Sequence, residues 1–163
     1  MRVLGIDPGT AITGYAVVEE ERGQLHLIDL GVINTPAKSP LPSRLQKIYT
    51  DLRHTIDTHQ PDAAAVEQLF FSRNVRTAMA VGHARGVTLL ALADAGLSIA
   101  EYTPMQIKQA ITGYGNADKR QIQEMVRMLL DLREIPRPDD AADAAAVAIC
   151  YLHRLKLDGL LQE

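Results

Sequence analysis

The first 34 residues hold three β-rich runs joined by turns too short for a helical crossover, which restricts the fold more than any other feature. Arg2–Asp7 is an apolar run broken by Pro8-Gly9-Thr10, and residues 13–19 follow with Tyr15, Val17 and Val18. Glu20-Glu21-Arg22-Gly23 is a polar turn, and Gln24–Asn34 is the third run. Parallel neighbours need a long connection, so these runs predict an antiparallel meander. Residues 35–42 carry three prolines and predict irregular chain. From Ser43, the residues Leu45, Ile48, Leu52 and Ile56 recur at helical spacing, and this helix stops before Pro61. Ala63–Glu67 reads as a short buried strand, residues 75–95 as a helix rich in small side chains, and Ser98–Tyr102 as a fifth strand. Thr103-Pro104-Met105-Gln106 has the pattern of a capping box with proline at the first helical position. That helix ends at Thr112-Gly113-Tyr114-Gly115. Ile122, Met125, Val126 and Leu129 mark the next helix, and residues 140–155 form an alanine-rich last one. The order predicts an α/β fold: a mixed five-stranded sheet with helices on both faces, in a single domain over residues 1–163.

Composition removes several classes of function. Hydrophobic residues make up 47% and charged residues 23%, and no stretch approaches the roughly 18 apolar residues of a spanning helix. Asp7 and Pro8 come too early for a signal peptide. Cys150 is the one cysteine, which excludes intrachain disulfides and thiolate zinc sites. A cytoplasmic protein without a membrane partner is expected. The net charge of −3, from 17 basic and 20 acidic side chains, argues mildly against nucleic acid. The distribution argues for it: residues 68–93 contain no acid, while Arg73, Arg76 and Arg85 make a local basic stretch.

Ligands of open α/β sheets gather outside the carboxyl ends of the strands. Asp7 ends the first strand and Glu67 the fourth, so two carboxylates meet if those strands are neighbours. Asp139, Asp140 and Asp143 open the last helix, with Asp140 and Asp143 on one face of its first turn. Converging carboxylates repel unless a cation sits between them. Hard oxygen donors without Cys or convergent His select Mg2+ or Mn2+ over Zn2+. Two such ions about 4 Å apart clamp the attacking and leaving oxygens of an in-line phosphoryl displacement. Plainer roles exist for single members: Asp140 and Asp143 also suit a helix start, and Asp7 suits a turn before Pro-Gly. A glutamate closing Ala63-Ala64-Ala65-Val66 is harder to place in a buried strand, and the set says more than any member. Gly5-Ile6-Asp7-Pro8-Gly9-Thr10 also resembles the first phosphate turn of actin-like ATPases, a reading that needs a second lobe. No Gly-Lys-Ser/Thr follows Gly113 and Gly115, so that loop is no P-loop.

With Gly5-Ile6-Asp7-Pro8-Gly9, Glu67-Gln68-Leu69-Phe70-Phe71 and Asp140-Ala141-Ala142-Asp143-Ala144 in this order, the chain resembles the RuvC family of bacterial Holliday-junction resolvases over essentially its full length. The resemblance implies an RNase H-like fold and a homodimer that binds a four-way DNA junction. It implies Mg2+-dependent, symmetric nicking of two strands of like polarity, leaving 5′-phosphate and 3′-hydroxyl ends. Two ions per site are expected, with Mn2+ able to substitute. By motif, Asp7, Glu67, Asp140 and Asp143 would be the catalytic metal ligands, with Asp139 as a helix cap. Lys108 and Lys119 match basic residues near the scissile strand, and Phe70 matches an aromatic that stacks on an unpaired base. The family also suggests the RuvA–RuvB branch-migration complex as a partner.

Arg73, Asn74 and Arg76 directly follow the Glu67 strand and suit phosphate contacts. Phe70 and Phe71 are the only phenylalanines; one suits the core and the other, if exposed, base stacking. Lys119 and Arg120 oppose a helix dipole unless a phosphate shares the site. Ala78, Gly82 and Gly86 recur every four residues, which allows close packing either on the sheet or on a second copy. Two rival readings are an RNase H-like nuclease for RNA or other branched DNA, and a junction binder without catalysis. The acids argue against the second, since negative charge facing phosphates serves no pure binder.

Overall fold

Side chains alternate across a strand, and here that alternation builds two cores. The computed structural model describes residues 1–68 and 75–160. Its strands are β1 (Arg2–Asp7), β2 (Ile12–Glu21), β3 (Gln24–Asn34), β4 (Ala63–Glu67) and β5 (Ser98–Tyr102). Its helices are α1 (Leu41–His59), α2 (Val75–Asp94), α3 (Pro104–Thr112), α4 (Lys119–Leu129) and α5 (Asp139–Leu160). The sheet order is β3-β2-β1-β4-β5, antiparallel through β3, β2 and β1, then parallel from β1 through β4 to β5. The meander and the mixed five-stranded sheet are as the sequence predicts.

Leu4, Ile6, Val17 and Val66 join Ile48 and Leu52 of α1 and Ala91 and Leu92 of α2 in one core. Val3, Ala16, Val18 and Ala65 turn the other way, against Ile107 of α3, Ile122 and Val126 of α4, and the buried alanines of α5. Helices therefore cover both faces. Among the described residues no helix is long and apolar enough to cross a membrane.

Two boundaries differ instructively. α1 begins at Leu41, inside the proline-rich segment, with Pro42 in its first turn. A proline there loses nothing, because the first-turn N–H groups have no intrahelical partner. α5 begins at Asp139, and the Pro138 carbonyl accepts its first helical bond from Ala142 N at 3.2 Å. Asp139 is thus the first helical residue rather than the expected cap.

Two capping boxes hold the helices that border the site. Thr103 accepts from Gln106 N while Gln106 Oε1 accepts from Thr103 N, at 3.2 and 2.9 Å. Asp118 and Gln121 repeat the arrangement at α4, both at 2.9 Å. Thr103→Ala leaves an orphan donor and should cost about 1 kcal/mol, or about 2–4 °C in Tm for a chain of this size. Thermal denaturation monitored by circular dichroism checks it.

Candidate active site

Parity and register bring the first two acids together. β1 and β4 pair in parallel with Gly5 opposite Ala65 and Ile6 opposite Val66. One step further puts Asp7 beside Glu67 at the carboxyl edge of the sheet. Both continue the series that faces α5, and their carboxyl groups share a hydrogen bond.

The last-helix acids arrive by a different route. Gly14 pairs with Asp7 across β1 and β2. A Cβ at Gly14 would overlap the Asp140 carbonyl oxygen and lie 2.5 Å from its carbon. At Gly5, a Cβ would overlap the Ala144 carbonyl and stand 2.7 Å from Ala148 N. These two positions let α5 lie directly on the strand backbones, and the helix start delivers Asp140 and Asp143 into the electrostatic neighbourhood of Asp7. The sequence reading missed this role for the glycines. Its signal is a glycine inside a strand of larger residues, which marks close backbone approach.

Burial shapes the electrostatics. It pushes the Asp7 carboxyl up to about 8, with further upward pressure from Glu67, Asp143 and Asp140. Burial raises Glu67 as well, against the stabilising hydrogen bond from Asp7. At Asp143 burial outweighs a lysine ammonium at close range and leaves the carboxyl raised. That ammonium is Lys119 Nζ, 3.3 Å from Asp143 and 3.4 Å from Asp139. Its own burial would lower its pKa, but the two aspartates raise it. A cleft of ≈ 200 Å³ opens here, lined by Glu67 and Asp143 together with Lys108 and Lys119. Among the described residues no three His, Cys, Asp or Glu side chains are spaced to hold an ion directly. The acids form a proton-sharing pair and a lysine-bridged pair within one neighbourhood. An oxygen-only donor set in a partly buried cleft fits a hard divalent cation.

Residues 3–151 match the family described as crossover junction endodeoxyribonuclease RuvC. The chain belongs to the RuvC family. The RuvC of Chloroflexus aggregans (strain MD-66 / DSM 9485) is 60% identical over 153 residues, covering 94% of this chain and 93% of that protein. The RuvC structure from Thermus thermophilus superposes with a TM-score of 0.90 at 37% identity, covering 97% of each chain. T. thermophilus RuvC in complex with a Holliday junction substrate gives 0.93 at 36% identity, covering 97% of this chain and 96% of that one. The fold is that of these RuvC structures, RNase H-like as the resemblance implied.

The remaining expected RuvC-type residues fall in three places. Lys108 on α3 and Lys119 on α4 line the acidic cleft. Arg76 is exposed in the first turn of α2. Phe70, Phe71, Arg73 and Asn74 lie outside the described residues. Arg85 departs from the basic surface read in the sequence: its guanidinium pairs with Glu101 at the end of β5, which neutralises it. Asp139 does not cap α5; Arg137, Gln123 and Lys119 engage its carboxylate from the side.

Proposed function

We propose that this chain resolves four-way (Holliday) DNA junctions in recombination and repair by symmetric nicking of two strands of like polarity, leaving ligatable 5′-phosphate and 3′-hydroxyl ends. The observation that carries the reading is the union of Glu67 and Asp143 with Lys108 and Lys119 around one cleft at the carboxyl edge of the sheet, with Asp7 hydrogen-bonded to Glu67 beside it. Membership of a family named for crossover junction cleavage supports the same substrate. Asp7, Glu67, Asp140 and Asp143 would hold divalent cations, two Mg2+ per site with Mn2+ as a substitute. Bound there, the ions supply a nucleophile near neutral pH and stabilise the leaving oxygen.

The chain's own groups do the rest. Asp7 is the common member of the acids: it shares a hydrogen bond with Glu67 and lies within electrostatic reach of Asp140 and Asp143, so it would help hold the cations with either group. Its proton must leave before it can bind a cation. Lys108 and Lys119 offset phosphate charge at the mouth of the cleft. Phe70, Arg73, Asn74 and Arg76, directly beyond Glu67 in sequence, would grip and open the junction centre. Catalysis in such a site is positioning and charge stabilisation. The reading takes residues 1–163 as one nuclease domain, cytoplasmic, served by the RuvA–RuvB complex.

Paired nicking needs two sites related by symmetry. A two-fold partner is supported by the outer face of α2, where Val75, Met79 and Leu90 are 71%, 59% and 55% exposed. Gly82 and Gly86 lie on the same face, and among the described residues a Cβ at either meets nothing within 4 Å. Packing on the chain's own sheet therefore does not account for these glycines. Met79→Asp should turn a dimer into a monomer in sedimentation while leaving the far-UV circular dichroism spectrum unchanged, because the residue is exposed on the folded chain.

The function is tested with synthetic four-way junctions, linear duplex and RNA–DNA hybrid incubated with protein and Mg2+. Symmetric junction nicks are expected. Preference for linear duplex, or hybrid cutting without junction nicking, overturns the proposal.

A further inference from the structure

The metal-nuclease reading leaves Asp139 without a task, although it is adjacent to Asp140. Its carboxylate is firmly held. Oδ1 accepts from Arg137 Nη1 at 2.9 Å and from Gln123 Nε2 at 3.2 Å, while Oδ2 lies 3.4 Å from Lys119 Nζ. Gln123 is only 8% exposed, so its amide is a fixed point on α4. Lys119 is the first residue of that helix, and its ammonium sits between Asp139 and Asp143. Those two acids are four residues apart on α5, which stacks them one turn apart on one face. Asp143 lines the cleft and Asp139 stands outside it.

We propose that Asp139 is a positioning residue, the tether that keeps Lys119 at the mouth of the cleft once a divalent cation occupies Asp143. The inference rests on the metal-nuclease reading above. A cation arriving at Asp143 repels an ammonium bound to the same carboxylate. Lys119 then needs somewhere to go. With Asp139 present, a rotation of the lysine end transfers the ammonium from one acid to the next along the helix. It clears the metal position and stays within reach of a phosphate. Without Asp139 the flexible four-carbon stem has two poorer choices. It stays on Asp143 and competes with the metal, or swings into solvent and leaves the phosphate. Arg137 and Gln123 fix the tether's Oδ1 so that Oδ2 remains turned toward Lys119.

Asp139 touches no reacting atom in this scheme, so its effect must pass through Lys119. The alternative is that it only staples α4 to α5. Mg2+ alone, without DNA, is the probe: the Mg2+-dependent rise in Tm gives a half-saturating concentration for the wild type and for Asp139→Asn, Asp139→Glu, Lys119→Met and the Asp139→Asn/Lys119→Met double variant. Asp139→Asn should raise that concentration about threefold or more, Asp139→Glu should restore it, and in the Lys119→Met background the change should vanish. Under saturating Mg2+, single-turnover nicking by Asp139→Asn should fall about tenfold, with junction Kd within about twofold of wild type. A shift of equal size in the Lys119→Met background overturns the tether and leaves a staple. So does Asp139→Asn with wild-type Mg2+ response and rate. A wild type whose Tm ignores Mg2+ overturns the metal reading and the tether together, whereas a responsive wild type matched by Asp139→Asn overturns the tether alone.

Discussion

Asp7→Asn should lower single-turnover junction nicking by about a thousandfold or more while junction binding in a gel-shift assay persists. The side chain keeps its size and its place beside Glu67, so the fold survives, but the charge shared by both halves of the acid cluster is gone. The same substitution should stabilise the protein in the absence of metal. Folding raises the Asp7 pKa from an ordinary 3.8 to about 8, so the native state holds this proton more tightly than the unfolded chain does. Its contribution to stability is complete below about pH 4 and is lost as pH rises through about 8. An asparagine has no such loss. The variant's advantage should therefore grow between pH 4 and 8 and level off above, reaching about 1–2 kcal/mol, or about 2–8 °C in Tm. Saturating Mg2+ should reverse the order, since only the wild type gains from binding the ion. Calorimetry across pH, with and without Mg2+, reads all of this; a variant less stable than wild type at every pH in chelator would remove the repulsion argument.

Gly14→Ala should be among the most damaging single-methyl changes available to the chain. The added carbon has no flexible neighbour to displace, because it meets the Asp140 carbonyl in the backbone of α5. Either the helix start lifts from the sheet or β2 shifts away from β1. Overpacking of this kind costs about 3 kcal/mol, which is about 6–12 °C in Tm here. Activity should fall further than stability, because the displaced residue is one of the four acids and misplacement by about 1 Å at a catalytic site costs about a hundredfold. Gly5→Ala meets Ala144 and Ala148 in the same way. Gly82→Ala is the stability control: among the described residues its Cβ meets nothing within 4 Å, and removing a mid-helix glycine should leave the monomer's stability unchanged or raise it by about 1 kcal/mol at most. Equal Tm losses at Gly14 and Gly82, both measured in the monomeric Met79→Asp background, would refute the close-packing explanation.

The candidate site was legible in part, and the parts have different physical sources. Asp7 and Glu67 stood out because each ends an apolar run with a charge, and a charge at a strand end is a local signal. The box at Thr103 and Gln106 was readable because both partners fall within three residues. The matching box at Asp118 and Gln121 was equally local and went unread; it places Lys119 on the first turn, facing the acids. Arg85 misled because an isolated arginine in an acid-poor stretch looks free, while its partner Glu101 lies on a strand sixteen residues further on.

Local chemistry settled the kinds of element, their order, and the carboxylates at the ends of β1, β4 and the start of α5. Side-chain periodicity, turn residues and caps act over a few positions and need no knowledge of the rest of the chain. Three decisions required the folded molecule: that β1 and β4 are neighbours, that Gly5 and Gly14 admit α5 onto the sheet, and that Lys119 reaches across to Asp139 and Asp143. Each joins residues far apart in the chain. Such contacts are selected by the summed packing of both cores, which no short window of sequence contains.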